Sequence, residues 1–124
     1  MRSLMILIIL SSMIFINCNT KNYGKLDPGV VKTLDVEKYL GIWYEIYRLP
    51  MRAENDLVNV TATYSIRDDG DIKVLNQGYK FTPEGKHKKA TAKAWIPDKD
   101  IQGALIVKFF GLFKSSYHVL YIDE

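Results

Sequence analysis

The sequence predicts an all-β protein in which an antiparallel, up-and-down meander of strands curls into a barrel. Tyr, Val, Ile and Thr recur in short runs, as is typical of strands. Polar turn sequences separate these runs, and no helical segment between them is long enough for the crossover of a parallel sheet. A meander with one apolar face buries that face by curling, and closure also removes the open edges. With 124 residues, the chain forms one domain at most.

The first 17 residues resemble a signal peptide. A short cationic start precedes an almost wholly apolar stretch at 4–16, which is shorter than the ~20 residues needed to span a bilayer. Cys18, the only cysteine, follows at once and resembles the acylated cysteine of bacterial lipoproteins, although Phe15 and Asn17 depart from the usual lipobox. We therefore expect a signal peptide at 1–17 and a lipidated N-terminus and tether at 18–33. An uncleaved apolar anchor, or a secreted form with an incidental cysteine, is the alternative.

The folded domain is expected to begin with a short helical turn at 34–40. Asp35 is suited to cap its N-terminus, and Gly41 ends it. A first strand should then run over 41–49, where Pro50 stops it.

The second and third strands are predicted by alternation. Residues 60–66 alternate cleanly between apolar and hydroxyl side chains, which is the period of a strand. The sequence at 67–71 has hairpin chemistry, because Gly70 can take a positive φ. A returning strand should occupy 72–79.

Three further strands complete the prediction. A turn at 82–85 leads to a strand at 88–96, and Pro97 breaks it before the next strand at 104–110. Lys108 indicates which face of that strand is exposed to solvent. Gly111 and the serines after it predict a turn at 111–116, and the sixth strand follows at 117–123.

Gly41 and Trp43, just after a short helical turn, resemble the hallmark of the lipocalins. The sequences at 44–50, 60–70 and 109–123 further resemble the bacterial lipocalins and their apolipoprotein D-like relatives, and Asp123 stands where the second family motif has its aspartate. The resemblance implies an eight-stranded barrel closed at one end by Trp43, which has a structural role. Six of the eight strands are counted here, so we expect 34–124 to be an incomplete lipocalin domain; a natural six-stranded form is the alternative.

The face pattern predicts a cavity lining in which small side chains leave volume and aromatic ones supply flat walls. Asn76 and Glu45 are polar positions on the predicted inward faces. Arg48 and Arg52 lie near the predicted mouth, where they could meet an anionic head, and ordinary surface arginine is the alternative. For each apolar residue, plain barrel core is the alternative. The predicted ligand-binding residues are Tyr47, Val60, Ala62, Tyr64, Val74, Asn76, Ala92, Ala94, Leu105, Val107 and Phe109.

The resemblance implies a small hydrophobic ligand, a fatty acid or a lysophospholipid, bound or carried at the bacterial outer membrane. The net charge of +3 is too small and too evenly spread to indicate nucleic acid. His87 and His118 are isolated, so we expect neither catalysis nor a metal or other cofactor. A second hypothesis is an interaction lipoprotein whose open sheet edges take up a strand of another chain, which also favours a homodimer.

Overall fold

In a computed structural model, which describes residues 24–123, six strands form a single antiparallel sheet whose order follows the chain. The all-β meander is therefore confirmed. The expected signal peptide and Cys18 lie outside the described residues. Within 24–123, no helix has the length and apolar character to cross a membrane. The elements are α1 (Val36–Tyr39), β1 (Gly41–Tyr44), a 3-10 turn (Arg52–Glu54), β2 (Leu57–Ile66), β3 (Ile72–Lys80), β4 (His87–Trp95), β5 (Ala104–Phe109) and β6 (Phe113–His118).

The helical turn forms where the sequence predicts it. The side chain of Asp35 accepts a hydrogen bond of 3.2 Å from the backbone N–H of Lys38, which caps the first turn of α1. Gly41 has a φ of +106°, a conformation that a side chain would strain, and it turns the chain from α1 into β1.

The register of the sheet defines one face, which we call the inner face. Trp43 opposes Ala62 across β1 and β2, and Ala62 opposes Asn76 across β2 and β3. Further along, the inner face carries the core, because alternate residues of β3, β4 and β5 pack there together with α1 and the chain after β6. The core consists of Leu34, Tyr39, Ile72, Val74, Ala92, Ala94, Leu105, Val107 and Val119.

The segment before α1 is bound to the sheet. The N–H of Val31 donates to the carbonyl of Val119 at 3.0 Å, and the carbonyl of Val31 accepts from Gly103 at 3.0 Å. Leu34 donates its N–H to the side chain of Gln102, and Val30 is buried. Residues 30–33, which the sequence places in the tether, are thus packed against the loop between β4 and β5.

The first strand is shorter than predicted. β1 ends at Tyr44 rather than near Leu49, and the N–H of Glu45 makes the last bond, to the carbonyl of Val60 at 3.0 Å. Opposite this point β2 carries a bulge at Asn59, which has a φ of +51°. The chain beyond Glu45 therefore leaves the ladder and forms a loop.

The prediction of the sixth strand was wrong. β6 occupies Phe113–His118 rather than 117–123, because the reversal is confined to the residues between Phe109 and Phe113. Phe110 and Gly111 have φ values of +51° and +69°, and the N–H of Leu112 returns to the carbonyl of Phe109 at 3.0 Å. The serines that predict a turn are strand residues paired with β5, and Asp123 follows β6 outside any strand.

The up-and-down order places the connections at two ends of the sheet. The loops at 45–56, 81–86 and 110–112 share one end, which we call the mouth end. The helical turn and the loops at 67–71 and 96–103 share the other, which we call the closed end.

Candidate functional site

A pocket of about 330 Å³ opens between the two outermost strands of the sheet, close to α1. Its wall is mainly apolar and aromatic, with hydroxyl groups at one side. Pockets that bind small ligands begin at about this size and have this mixed character. The lining residues are Tyr39, Trp43, Tyr64, Tyr117, His118, Val119, Leu120, Tyr121 and Ile122.

Three tyrosines form a cluster on one wall of the pocket. The hydroxyls of Tyr39 and Tyr117 lie 3.0 Å apart, and the rings of Tyr39 and Tyr64 lie 4.8 Å apart between centroids. Burial, above all, raises the pKa of both Tyr39 and Tyr64 well above the ordinary value, and the neighbouring Tyr117 adds to the rise at both. The cluster therefore presents neutral hydroxyls, which can both donate and accept hydrogen bonds.

Trp43 connects this wall to the helical turn. Its Nε1–H donates to the carbonyl of Tyr39 at 2.8 Å, and the two rings lie 5.3 Å apart. This contact agrees with the structural role expected for Trp43, although the indole is 40% exposed and also lines the pocket. The buried Nε2 of His118, another lining residue, has no hydrogen-bond partner among the described residues.

Most of the predicted lining residues lie together on the inner face, but the structure divides them by depth. Five of them belong to the buried core: Val74, Ala92, Ala94, Leu105 and Val107. Tyr64 and Phe109 pack against that core, and only Tyr64 also lines the pocket. Val60, Ala62 and Asn76 lie nearer the mouth end and outside the core cluster.

Tyr47 is the exception in the predicted set. It lies beyond the end of β1, outside the sheet, and its side chain is 83% exposed. The prediction placed it inward because it extended the alternation of β1 past Tyr44. The loop at 45–56 breaks that alternation.

Arg48 makes several bonds within the protein. Its guanidinium pairs with the carboxylate of Glu45 and donates to the carbonyls of Glu54 and Leu57, both at 2.8 Å. These bonds satisfy the inward carboxylate and fold the loop at 45–56 back on itself. Arg52 is exposed.

The sequence did not single out Tyr39, Tyr117 and His118 as site residues. Tyr39 precedes Tyr117 by 78 positions, and α1 is too short for its pattern to show which side chain faces the sheet. In the described part of the chain, no group of three or more His, Cys, Asp or Glu side chains could hold a metal ion. His87, on the outer face, stacks on Tyr79 at 5.0 Å.

A single up-and-down antiparallel sheet with a helical turn at one end and an apolar inner face is the architecture of the antiparallel β-barrel class of proteins. Within that class, residues 34–124 match the family model of the lipocalin-like domain, and the chain belongs to this family.

Comparison with known proteins places it among bacterial and animal relatives. It is 44% identical over 95 residues to "Outer membrane lipoprotein Blc" of Escherichia coli (strain K12), which covers 77% of this chain and 53% of the relative. It is 43% identical over 94 residues to the protein of the same name from Vibrio cholerae, covering 76% and 54%. It is 36% identical over 104 residues to "Apolipoprotein D" of Cavia porcellus, covering 82% and 53%. The chain spans about half the length of these relatives.

Proposed function

We propose that this protein binds a small hydrophobic ligand on the inner side of its sheet. The observation that supports this most is the 330 Å³ pocket, in which the tyrosine cluster meets Trp43 beside an apolar face. A lipid chain would lie along the apolar wall and toward the inner-face residues nearer the mouth end, Val60, Ala62 and Asn76. Membership of the lipocalin-like family supports the same class of ligand.

The finer proposal is a fatty acid or a lysophospholipid. Its polar head would be placed at the tyrosine cluster, because neutral hydroxyls can donate to a carboxylate or a phosphate. Arg48 is less suited to the head, because three of its N–H groups already serve Glu45 and the carbonyls of Glu54 and Leu57. The proposed site of the head is therefore the tyrosine cluster and not Arg48 or Arg52 near the mouth.

The test uses the fluorescence of Trp43, which lines the pocket, in a Trp95→Phe background. Trp95 lies on the outer face, so its removal leaves Trp43 as the reporter. Titration of the delipidated protein with oleate and with a lysophosphatidylcholine should give saturable changes in the fluorescence of Trp43. Tyr64→Phe should weaken the binding of oleate, the ligand with a net charge. An unchanged signal from a protein that shows strand circular dichroism would refute ligand binding.

We further propose that Cys18 is lipidated and holds the protein at the bacterial outer membrane. The relatives named as outer membrane lipoproteins support this location, as does the position of Cys18 after an apolar segment. Cells expressing the chain should incorporate radiolabelled palmitate into it, and Cys18→Ser should abolish incorporation. Equal labelling of the two forms would contradict the proposal.

A second candidate function is strand addition, which the sheet edges support. Among the described residues, β1 and β6 each pair on one side only. Analytical ultracentrifugation of the full chain in detergent should show a homodimer if these edges meet, and Tyr44→Pro at the edge of β1 should dissociate it. A monomer at all concentrations would exclude self-association through these edges.

A further inference from the structure

The three loops at the mouth end all expose large apolar side chains. Every loop at the mouth end has large apolar residues in water: Ile46, Tyr47, Leu49 and Met51 in the first, Phe81 in the second, and Phe110 and Leu112 in the third. At the closed end, the loop at 67–71 consists of one arginine, three aspartates and a glycine. Ile66, Leu120 and Tyr121 are also exposed toward the closed end, but large apolar residues in every loop of one end mark a candidate interaction site.

The hairpin between β5 and β6 has the most concentrated apolar tip. Phe110, Leu112 and Phe113 are 73%, 77% and 68% exposed, so the tip projects away from the core. Phe110 has a φ of +51°, and Phe81 in the neighbouring loop has a φ of +65°. Bulky residues rarely occupy this left-handed region, where glycine or asparagine would be relaxed. The fold therefore tolerates backbone strain at two exposed phenylalanines of the mouth end.

Lysines flank this tip on the outer face. Lys108 pairs with Lys114 across β5 and β6, and the same row continues through Lys93 on β4 to Lys73 on β3. Like charges placed directly opposite each other destabilise a sheet. Adjacent strands lie about 4.8 Å apart, so the row extends over roughly 14 Å.

Carboxylates neutralise only part of the row. Lys93 binds Asp71 at 2.7 Å and Asp69 at 3.0 Å, whereas Lys73, Lys108 and Lys114 have no carboxylate partner in the described range. Lys114 lies over the ring of Trp95, 5.8 Å from its centroid. Between these side chains is a hollow of about 260 Å³ lined by Asp71, Lys93, Trp95, Lys108 and Lys114.

We infer that the mouth end docks on an anionic lipid surface, with the β5–β6 tip in the acyl boundary and Lys108 and Lys114 at the phosphates. The geometry fits this partner, because Phe109 ends β5 one residue (~3.4 Å) beyond Lys108 and the exposed turn at 110–112 follows it. Interfacial apolar groups enter a membrane by roughly 5–10 Å, with cations at the headgroups above them. This inference goes beyond ligand binding, and its test requires no ligand.

A local probe at the tip tests the inference in the full chain. Total vesicle binding is uninformative, because the apolar segment at 4–16 can itself enter lipid. We therefore place an environment-sensitive fluorophore at Leu112→Cys in a Cys18→Ser background, with Asp68→Cys at the closed end as the matched control. On vesicles containing phosphatidylglycerol, the label at 112 should gain intensity and shift to the blue, and doxyl-lipid should quench it. The fluorophore at position 68 should remain in an aqueous environment.

Three variants separate the contributions of charge and apolar contact. The double substitution Lys108→Gln and Lys114→Gln should lower the ratio of docked to undocked label on anionic vesicles by roughly thirtyfold, because two lysines near such a surface usually strengthen binding by that factor. Lys99→Gln at the closed end should have no effect. Phe110→Asn relieves the left-handed strain, so it should keep or raise stability while lowering the docked ratio.

The inference fails if the label at 112 remains aqueous on anionic vesicles, or if both labels respond equally. It fails also if pure phosphatidylcholine supports the same insertion, because the lysines would then have no part. A change of the 112 label that depends on protein concentration without vesicles would assign the tip to a second copy of the chain.

Discussion

The hydroxyls of Tyr39 and Tyr117 lie 3.0 Å apart and join α1 to β6 across 78 positions of the chain. Among the described residues, α1 directly precedes β1, and β1 and β6 lie at opposite ends of the strand order, so this bond connects the beginning of the sheet to its end. It also forms part of the wall of the pocket. Stability and the proposed ligand binding therefore involve the same pair of side chains.

Removal of either hydroxyl should destabilise the fold without changing the size of the rings. We expect Tyr117→Phe and Tyr39→Phe each to lower the free energy of unfolding by about 1 kcal/mol, the usual contribution of a hydrogen bond. Urea denaturation measures both losses. In a double-mutant cycle, the two losses should not add, since they remove one interaction; additive losses would show that the hydroxyls act independently.

The tyrosine cluster should make the fold sensitive to alkali. Folding raises the pKa of Tyr39 and Tyr64, so their contribution is complete below the ordinary tyrosine pKa of about 10. It is lost as the pH rises above that value toward the folded pKa values, because the unfolded chain ionises first. The free energy of unfolding should therefore fall above about pH 10, and a variant with Phe at both positions should show a smaller slope. An unchanged slope in that variant would refute this origin.

Trp43→Phe should weaken the connection between β1 and α1. The substitution keeps an aromatic ring but deletes the Nε1–H that the carbonyl of Tyr39 accepts at 2.8 Å. We expect a loss of about 1–2 kcal/mol in chemical denaturation, from the bond and the smaller ring. Trp95→Phe on the outer face serves as the control and should cost less; an equal loss in both variants would show a general need for indole.

Arg48→Met should destabilise the protein while leaving ligand affinity unchanged. The guanidinium is half-buried and serves Glu45 and the carbonyls of Glu54 and Leu57. Loss of these charge-assisted bonds should cost about 2 kcal/mol. Arg52→Ala, at an exposed position of the same loop, should change stability by no more than ~0.5 kcal/mol. If Arg48→Met instead weakened fatty-acid binding in a protein of unchanged stability, Arg48 would be a ligand residue.

Local signals sufficed to predict the order and number of the strands. The alternation at 60–66 and the hairpin chemistry at Gly70 are properties of adjacent residues, and the structure confirms both elements. The prediction of strand ends was wrong where the backbone adopts a conformation that the residue types do not favour. Phe110 takes a positive φ that its side chain disfavours, so the turn before β6 is shorter than Gly111 and the serines indicate.

The site was less predictable because it depends on distant contacts. The two-residue alternation of side chains along a strand correctly groups Ala62, Tyr64 and Val74 on one face, since it fixes the face of each residue. It does not fix depth, and the packing of Leu34 and Tyr39 turns half of that face into solid core. The meeting of Tyr39 with Tyr117 has no local signature, because the two are brought together only by the curvature of the whole sheet.

Val31 is hydrogen-bonded to both Gly103 and Val119, and this clamp affects the order in which the chain folds. Every strand pairs with its neighbour in sequence, so the hairpins close short loops and should form on their own within microseconds. The clamp and the Tyr39–Tyr117 bond join positions far apart in the chain, and such non-local contacts have the slowest closure. We expect the two ends to meet last, so that hydrogen exchange under native conditions is fastest at Val31 and Val119 and slowest in β3 and β4.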